Sequence, residues 1–231
     1  MNSFYQPNIK QGATVLSPEE SKHCALVLRQ KVGDEIEVFD GLGTRVQARL
    51  TEIHKNSCAF EILTEEEVSI KPFRVHLAIA ATKNTDRMEW MVEKLSEIGV
   101  DELSFIKTSH AERDRIRIDR LQKKAISAMK QCKYPFLLKI NEPVPFDEFI
   151  GSSYTGEKWI AQVGDHPYLG HQTTKGMDTT LLVGPEGDFS DQEMLMAASA
   201  GFLPISLGKT TLRTETAGLL ACHFINQINA F

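Results

Sequence analysis

Apolar and polar residues alternate along three stretches near the start of the chain. Glu35-Ile36-Glu37-Val38-Phe39, Arg45 to Ile53 and Ser57 to Ile62 place apolar residues at every second position. That is the period of a strand with one buried face. Asp40-Gly41-Leu42-Gly43 reads as the turn between the first two, and Lys55-Asn56 separates the last two. Upstream, Ser17-Pro18-Glu19-Glu20 predicts a helix start, with Ser17 capping, Pro18 in the first turn and Glu20 closing a capping box. His23 and Arg29 fall on that short helix as solvated polar residues. The pattern predicts a small antiparallel unit, a barrel with one helix. The acidic stretch from Thr64 to Pro72 reads as a linker.

The texture changes after Pro72. Arg74 to Ala81 is nearly all apolar in its second half, as a strand covered on both faces would be. Asp86-Arg87-Met88-Glu89 opens a helix at capping-box spacing, with Met88, Met91, Val92, Leu95 and Ile98 as its inner stripe and Gly99 at its end. Leu103 to Ile106 reads as a strand. A helix with Ile118, Leu121, Ala125, Ala128 and Met129 inside follows. Further strands are predicted near Phe136–Ile140, at Lys158–Val163, at Thr179–Val183 and at Leu203–Leu207. Ser190-Asp191-Gln192-Glu193 is another capping box, and a last helix from about Glu215 carries Ala217, Leu220, Ala221, Phe224, Ile225 and Ile228 on one face. Strands alternating with helices mean an α/β domain, a mostly parallel sheet with helices on both faces. The boundaries are residues 1–70 for the barrel and 71–231 for the α/β domain.

Composition narrows the function. No apolar run approaches membrane length, and the start shows no secretory pattern, so a cytoplasmic protein is expected. Cys24, Cys58, Cys132 and Cys222 are far apart and form no metal-binding spacing, so reduced thiols and no metal site are expected. The net charge is −5, which excludes a global positive field. Residues 107 to 133 nevertheless concentrate Lys107, Arg113, Arg115, Arg117, Arg120, Lys123, Lys124, Lys130 and Lys133. Two readings of that run stay open: a solvated face, or a surface for an anionic partner.

The candidate chemistry sits late in the chain. Val183-Gly184-Pro185-Glu186-Gly187-Asp188 and Leu207-Gly208-Lys209-Thr210-Thr211-Leu212-Arg213-Thr214-Glu215-Thr216-Ala217 each follow an apolar strand with a glycine-bearing loop. Such loops bring backbone N–H and C=O groups close to a ligand, and in parallel sheets ligands bind beyond the carboxyl ends of strands. Either loop alone is equally well an ordinary strand-to-helix turn. Gly208-Lys209-Thr210 is not a phosphate-binding loop, because that motif needs a Gly where Leu203 stands. Gly41-Leu42-Gly43 lacks the third glycine of a dinucleotide fingerprint, and no G-x-S-x-G or H-E-x-x-H is present.

Val183-Gly184-Pro185-Glu186-Gly187, Ser190-x-x-Glu193 and Leu212-Arg213-Thr214-Glu215-Thr216-Ala217 together resemble the ribosomal RNA uridine-N3 methyltransferase (RsmE) family, a branch of the knotted SPOUT methyltransferases. Trp90 to Val100, Ala128-x-x-Gln131-Cys132-x-x-x-Pro135 and His23…Val27-Leu28-Arg29…Gly33-Asp34 agree, so the likeness spans nearly the whole chain. It implies a PUA-like RNA-binding barrel, a C-terminal trefoil knot, S-adenosyl-L-methionine as methyl donor, 16S ribosomal RNA or the small ribosomal subunit as partner, and a homodimer with sites at the subunit interface. Carried over, Leu182, Gly184, Pro185, Glu186, Gly187, Leu207, Gly208, Leu212, Thr214 and Thr216 would hold the donor. The chain departs from the family at Asp188, where a second Gly is usual, and at Cys132, in place of a small Ser. Asp is among the less costly residues at positive φ, so the loop is expected to survive.

The implied reaction needs a uracil deprotonated at N3. Arg213 is expected to stabilise that anion, and Glu215 to orient Arg213 or accept the proton. Alternatively the two only brace the fold. Arg29, Arg45, Lys83, Arg87, Arg115, Arg117 and Lys124 are expected phosphate contacts. Two rival functions remain at this stage, a SPOUT enzyme acting on ribose 2′-hydroxyl groups and a non-catalytic RNA-binding assembly module.

Overall fold

The computed structural model describes residues 1–111 and 116–230. The chain divides into two compact units, residues 1–70 with 126–137 and residues 71–125 with 138–231.

The first unit is built on a four-stranded sheet in the order β1 (Asn2–Tyr5), β2 (Glu35–Phe39), β3 (Thr44–His54), β4 (Ser57–Glu67). β2 to β4 are antiparallel neighbours, while β1 runs parallel to β2. Val46, Ala48 and Leu50 of β3 point inward and join Phe4, Ile36, Val38, Cys58 and Phe60 in one core. β4 outruns its predicted end: Thr64 to Glu67, read as linker, pair with Thr44 to Gln47. Arg45 bonds Glu66 at 2.5 Å and Lys10 pairs with Glu67, so two of the run's glutamates are answered within the unit.

Helix α1 (Pro18–Lys22) starts where Ser17 predicts, with the Ser17 side chain accepting from the Glu20 N–H at 3.2 Å. The capping box does not close. The Glu20 carboxylate accepts instead from the Tyr5 N–H and from Lys130 at 2.6 Å. The helix passes into a wider π turn, His23–Val27, and Arg29 lies beyond it at φ 53° rather than on it.

The second unit carries, among the described residues, a seven-stranded sheet. Its main order is β11 (Leu203–Ile205), β9 (Glu157–Ala161), β10 (Thr179–Val183), β5 (Val75–Ala80), β6 (Glu102–Lys107), β7 (Lys139–Ile140), with β8 (Val144–Pro145) also on β6. All its pairs are parallel. Helices α2 (Thr85–Glu97) and α7 (Thr214–Ala230) pack on each other, and α7 lies on β5 and β10. The approach is close, for a Cβ on Gly218 would sit 2.9 Å from Ile79. The other face is covered by α4 (Phe146–Gly151) and α6 (Asp191–Ser199), whose Phe146, Phe149, Ile150 and Ala197 share a core with Ala78, Ile106, Ile160 and Leu182. Helix α3 (Ile118–Cys132) carries its predicted inner stripe buried, and α5 (Leu169–Gln172) is a single turn in the loop before β10.

Three local expectations change. α2 is capped by Asn84, whose side chain accepts from the Arg87 N–H, and not by Asp86. The predicted strand at Phe136–Ile140 shortens to Lys139–Ile140, because Pro135 and Leu137 bond first to the turn at Gly41 and Gly43. α4 falls between Ile140 and Lys158, where no element is predicted; its start at Pro145 offers no side-chain cap. All four cysteines are free thiols. No helix is long and apolar enough to cross a membrane.

Candidate functional site

Three adjacent parallel strands, β11, β9 and β10, end side by side, and a cavity of about 320 Å³ opens beyond their carboxyl ends. Strand shortening creates it. β9 stops at Ala161, which frees Gln162 and Val163 to form one wall. β11 stops at Ile205, and Ser206 then turns the chain by bonding both the N–H and the C=O of Gly208. Gly208 has φ +135°, a conformation natural only to glycine.

Among the expected donor residues, Gly184, Pro185, Glu186, Leu207, Gly208, Leu212 and Thr214 line this one cavity together with Arg213. Leu182 is instead fully buried in the core beneath α4 and α6, and its neighbour Val183 faces the cavity. Gly187, Glu215 and Thr216 lie outside the lining. Sequence reasoning missed the wall from β9, with Gln162 and Val163, and it missed Thr210 and Thr211. The Gly164 that follows Val163 was the available signal, a third strand stopping near a glycine.

The cavity suits a ligand held by backbone groups. Its lining is mostly apolar side chains and loop backbone, and its volume falls at the low end of the ~300–1,000 Å³ usual for small-molecule sites. Gly184 sits in a tight place, since a Cβ there would lie 3.1 Å from the Phe189 ring. The loop is tied from below. Asp188 N–H bonds Pro185 C=O at 3.0 Å, and Asp188 sits at φ +60°, so the positive φ allowed for at this position is present. The capping box at α6 forms as expected, with Ser190 and Glu193 each accepting from the other's backbone. Burial alone would raise the Glu193 carboxyl; the N–H groups and hydroxyls of Ser190 and Ser109 outweigh it and hold it below the ordinary carboxylate value.

The charged groups are arranged unevenly. Arg213 is exposed at the cavity wall, and among the described residues no carboxylate pairs with it. Glu215 is buried and pairs with Arg87 at 3.6 Å, not with Arg213. The second Glu215 oxygen, Oε2, has no hydrogen-bond partner among the described residues. Arg45 is engaged by Glu66, Arg117 by Asp119 at 3.3 Å and Lys124 by Glu93 at 2.6 Å. Lys83 is exposed in the loop after β5. Arg115 lies outside the described residues. The basic run is thus less free than its charge count implies. No cluster of metal-binding side chains occurs among the described residues.

Comparison with known proteins gives concordant matches. An RNA methyltransferase domain matches residues 69–226, and an RNA methyltransferase PUA domain matches residues 16–63. The chain is similar to a probable rRNA-methyltransferase from Porphyromonas gingivalis, at 40% identity and TM-score 0.91, over 100% of this chain and 99% of that one. It is similar to ribosomal RNA small subunit methyltransferase E from Neisseria gonorrhoeae, solved with S-adenosyl methionine bound, at 30% identity and TM-score 0.87, over 99% and 98%. The protein of the same name from Buchnera aphidicola of Acyrthosiphon pisum is 29% identical over 96% of this chain and 87% of its own.

Proposed function

The chain belongs to the RNA methyltransferase family of ribosomal RNA small subunit methyltransferase E, and from that premise we propose that it methylates N3 of a uridine in 16S ribosomal RNA. It is an S-adenosylmethionine-dependent methyltransferase of small-subunit ribosomal RNA. The uridine N3 specificity is the finer step and is ours. The observation that carries it is Arg213, exposed at the wall of a backbone-lined cavity and paired with no carboxylate among the described residues.

The donor group fits that cavity: a glycine at 184 set close against the Phe189 ring, a glycine at 208 held at φ +135°, apolar walls and exposed loop backbone. Once bound, it supplies an already activated methyl group. The protein's part is then positioning and electrostatics. Leu207 and Leu212 give apolar contact, while the backbone of 184–186, 208 and 214 supplies hydrogen bonds. Arg213 directs a fixed, planar cation toward the uracil oxygens, where negative charge appears as N3 loses its proton. Glu215 is assigned the acceptor role, directly or through water, because its ion pair goes to Arg87 and leaves Oε2 without a partner.

The remaining assignments follow from family membership. Residues 1–70 form the PUA-like RNA-binding domain and 71–231 the methyltransferase domain with a trefoil knot. The enzyme is cytoplasmic and works without a metal. Arg29, Arg45, Lys83, Arg87, Arg115, Arg117 and Lys124 contact phosphates, the paired ones by exchanging a carboxylate for a phosphate. A homodimer would cover Trp90, which is 42% exposed on α2, and light scattering at micromolar concentration should return twice the chain mass. The test of function is methylation of 16S RNA from a strain lacking this enzyme, followed by nucleoside mapping. N3-methyluridine at one position is expected. Ribose methylation would overturn the N3 assignment, and RNA binding without turnover would overturn catalysis.

A further inference from the structure

His110 touches the donor loop from outside the cavity. The His110 Nδ1 lies 3.1 Å from the Gly187 C=O and 3.0 Å from the Asp188 C=O. Carbonyl oxygens only accept, so Nδ1 carries the proton and donates to both. The approach is tight, because a Cβ on Gly187 would sit 3.2 Å from the His110 Cβ. One residue earlier, the Ser109 N–H and hydroxyl bond Glu193 at 2.7 and 3.2 Å, so the same short segment also grips the start of α6.

Asp188 gives this contact a purpose. It holds φ +60° although it has a Cβ, and left-handed backbone in a non-glycine residue persists only where its surroundings impose it. Asp188 makes one local bond that helps, its own Oδ1 accepting from the Phe189 N–H at 2.8 Å. The His110 bonds act on the peptide groups at either side of Asp188. We propose that His110 is a positioning residue: it latches the donor loop and holds Asp188 left-handed, so that the loop enters donor binding already shaped. The inference rests on the cavity being the donor site.

Amide hydrogen exchange in the donor-free protein and calorimetric titration with S-adenosylhomocysteine test the two levels separately. His110→Ala should speed exchange at the Asp188 and Phe189 amides, and should weaken binding about 5–10-fold, the size of one or two lost hydrogen bonds. His110→Asn places an amide N–H near the Nδ1 position and should recover both within about threefold, whereas His110→Gln extends too far and should behave like Ala. In an Asp188→Gly background the left-handed turn no longer needs imposing, so adding His110→Ala should cost less than about twofold. A general structural role would not give that sequence of Asn rescue and Gly relief. Unchanged exchange in His110→Ala, or the same loss in both backgrounds, overturns the latch. If the wild type takes up no donor product, the donor-site reading falls, and exchange still decides the latch.

Discussion

The second unit holds two cavities of similar size on one sheet, and they differ in what their polar groups do. The first, beyond β9, β10 and β11, is about 320 Å³ and is walled by loop backbone, apolar side chains and Arg213, which pairs with no carboxylate among the described residues. The second, about 300 Å³, lies under α4 at the amino half of β5 and β6. There His76 Nε2 meets the Ser104 hydroxyl at 2.8 Å, and the Asn141 amide bonds both Ser104 at 2.8 Å and Glu102 at 2.7 Å. Lys139 and Arg74 complete the Glu102 carboxylate. In the second cavity His76, Ser104, Asn141 and Glu102 satisfy one another, and the remaining carboxylates, Glu142 and Glu148, are exposed at its rim. In the first, capacity is left over. Volume does not separate a site from a structural pocket; hydrogen-bond satisfaction does.

The largest expected effect breaks the first cavity. Arg213→Ala should lower single-turnover rate by about 10²–10³, as when one preorganised donor is removed. Donor affinity and melting temperature should hold, because Arg213 is exposed and the donor is held by backbone. Arg213→Lys should recover part, and raising the pH toward about 9.5 should partly rescue the Ala variant as more uridine ionises unaided. A drop in melting temperature with weaker donor binding and no pH rescue would make Arg213 a brace instead.

The second cavity should respond in the opposite way. Glu102→Ala removes the shared acceptor of Asn141, Lys139 and Arg74 and should destabilise the protein by about 1–3 kcal/mol, discounted because both cations are more than half exposed. Donor binding by calorimetry should not change. If Glu102→Ala leaves stability intact and impairs binding or turnover, the contrast between the cavities fails.

What the sequence disclosed of this contrast follows its physics. The loops after Val183 and Leu207 were legible because glycines and the Ser190–Glu193 box are local signals. The third wall at Gln162 and Val163 was not, since β9 comes beside β11 only through non-sequential pairing. The Thr64–Glu67 strand was hidden because its charges are answered by Arg45 and Lys10, distant in sequence. α4 lacked a capping side chain, and His110 belongs to no pattern. The second cavity's network joins residues 76, 102, 104, 139 and 141, each unremarkable in its own stretch.

The smallest expected effect uses acid to read the second cavity alone. Burial holds the His76 imidazole below its ordinary 6.5, with Lys139 and Arg74 adding to this and Glu102 opposing. Asn141 already donates to the Ser104 oxygen, which leaves the Ser104 hydroxyl proton to be donated to an unprotonated His76 Nε2. Protonation would turn that acceptor into a second donor. The sign follows from linkage: the unfolded chain takes up the proton first, so stability is full above about pH 6.5 and falls as pH drops below it. Glu102 acts lower down. Burial raises its carboxyl, but the bonds from Asn141 and Lys139 and the nearby charges hold it below the ordinary 4.5, so its contribution is lost only as pH falls through that range. His76→Gln keeps an acceptor for Ser104 and cannot titrate. Its melting temperature should therefore be flat between about pH 5 and 7, where the wild type loses about 2–4 °C at most. Both proteins should decline below pH 4.5, because Glu102 keeps its bonds from Asn141 and Lys139 in each. The variant also loses the ring contacts to Phe149 and Tyr154, a cost that does not depend on pH and so shifts its curve without tilting it. Parallel curves for the two proteins from pH 7 to 5 would show instead that His76 protonates in the fold as readily as in the unfolded chain, its charge absorbed by Glu102.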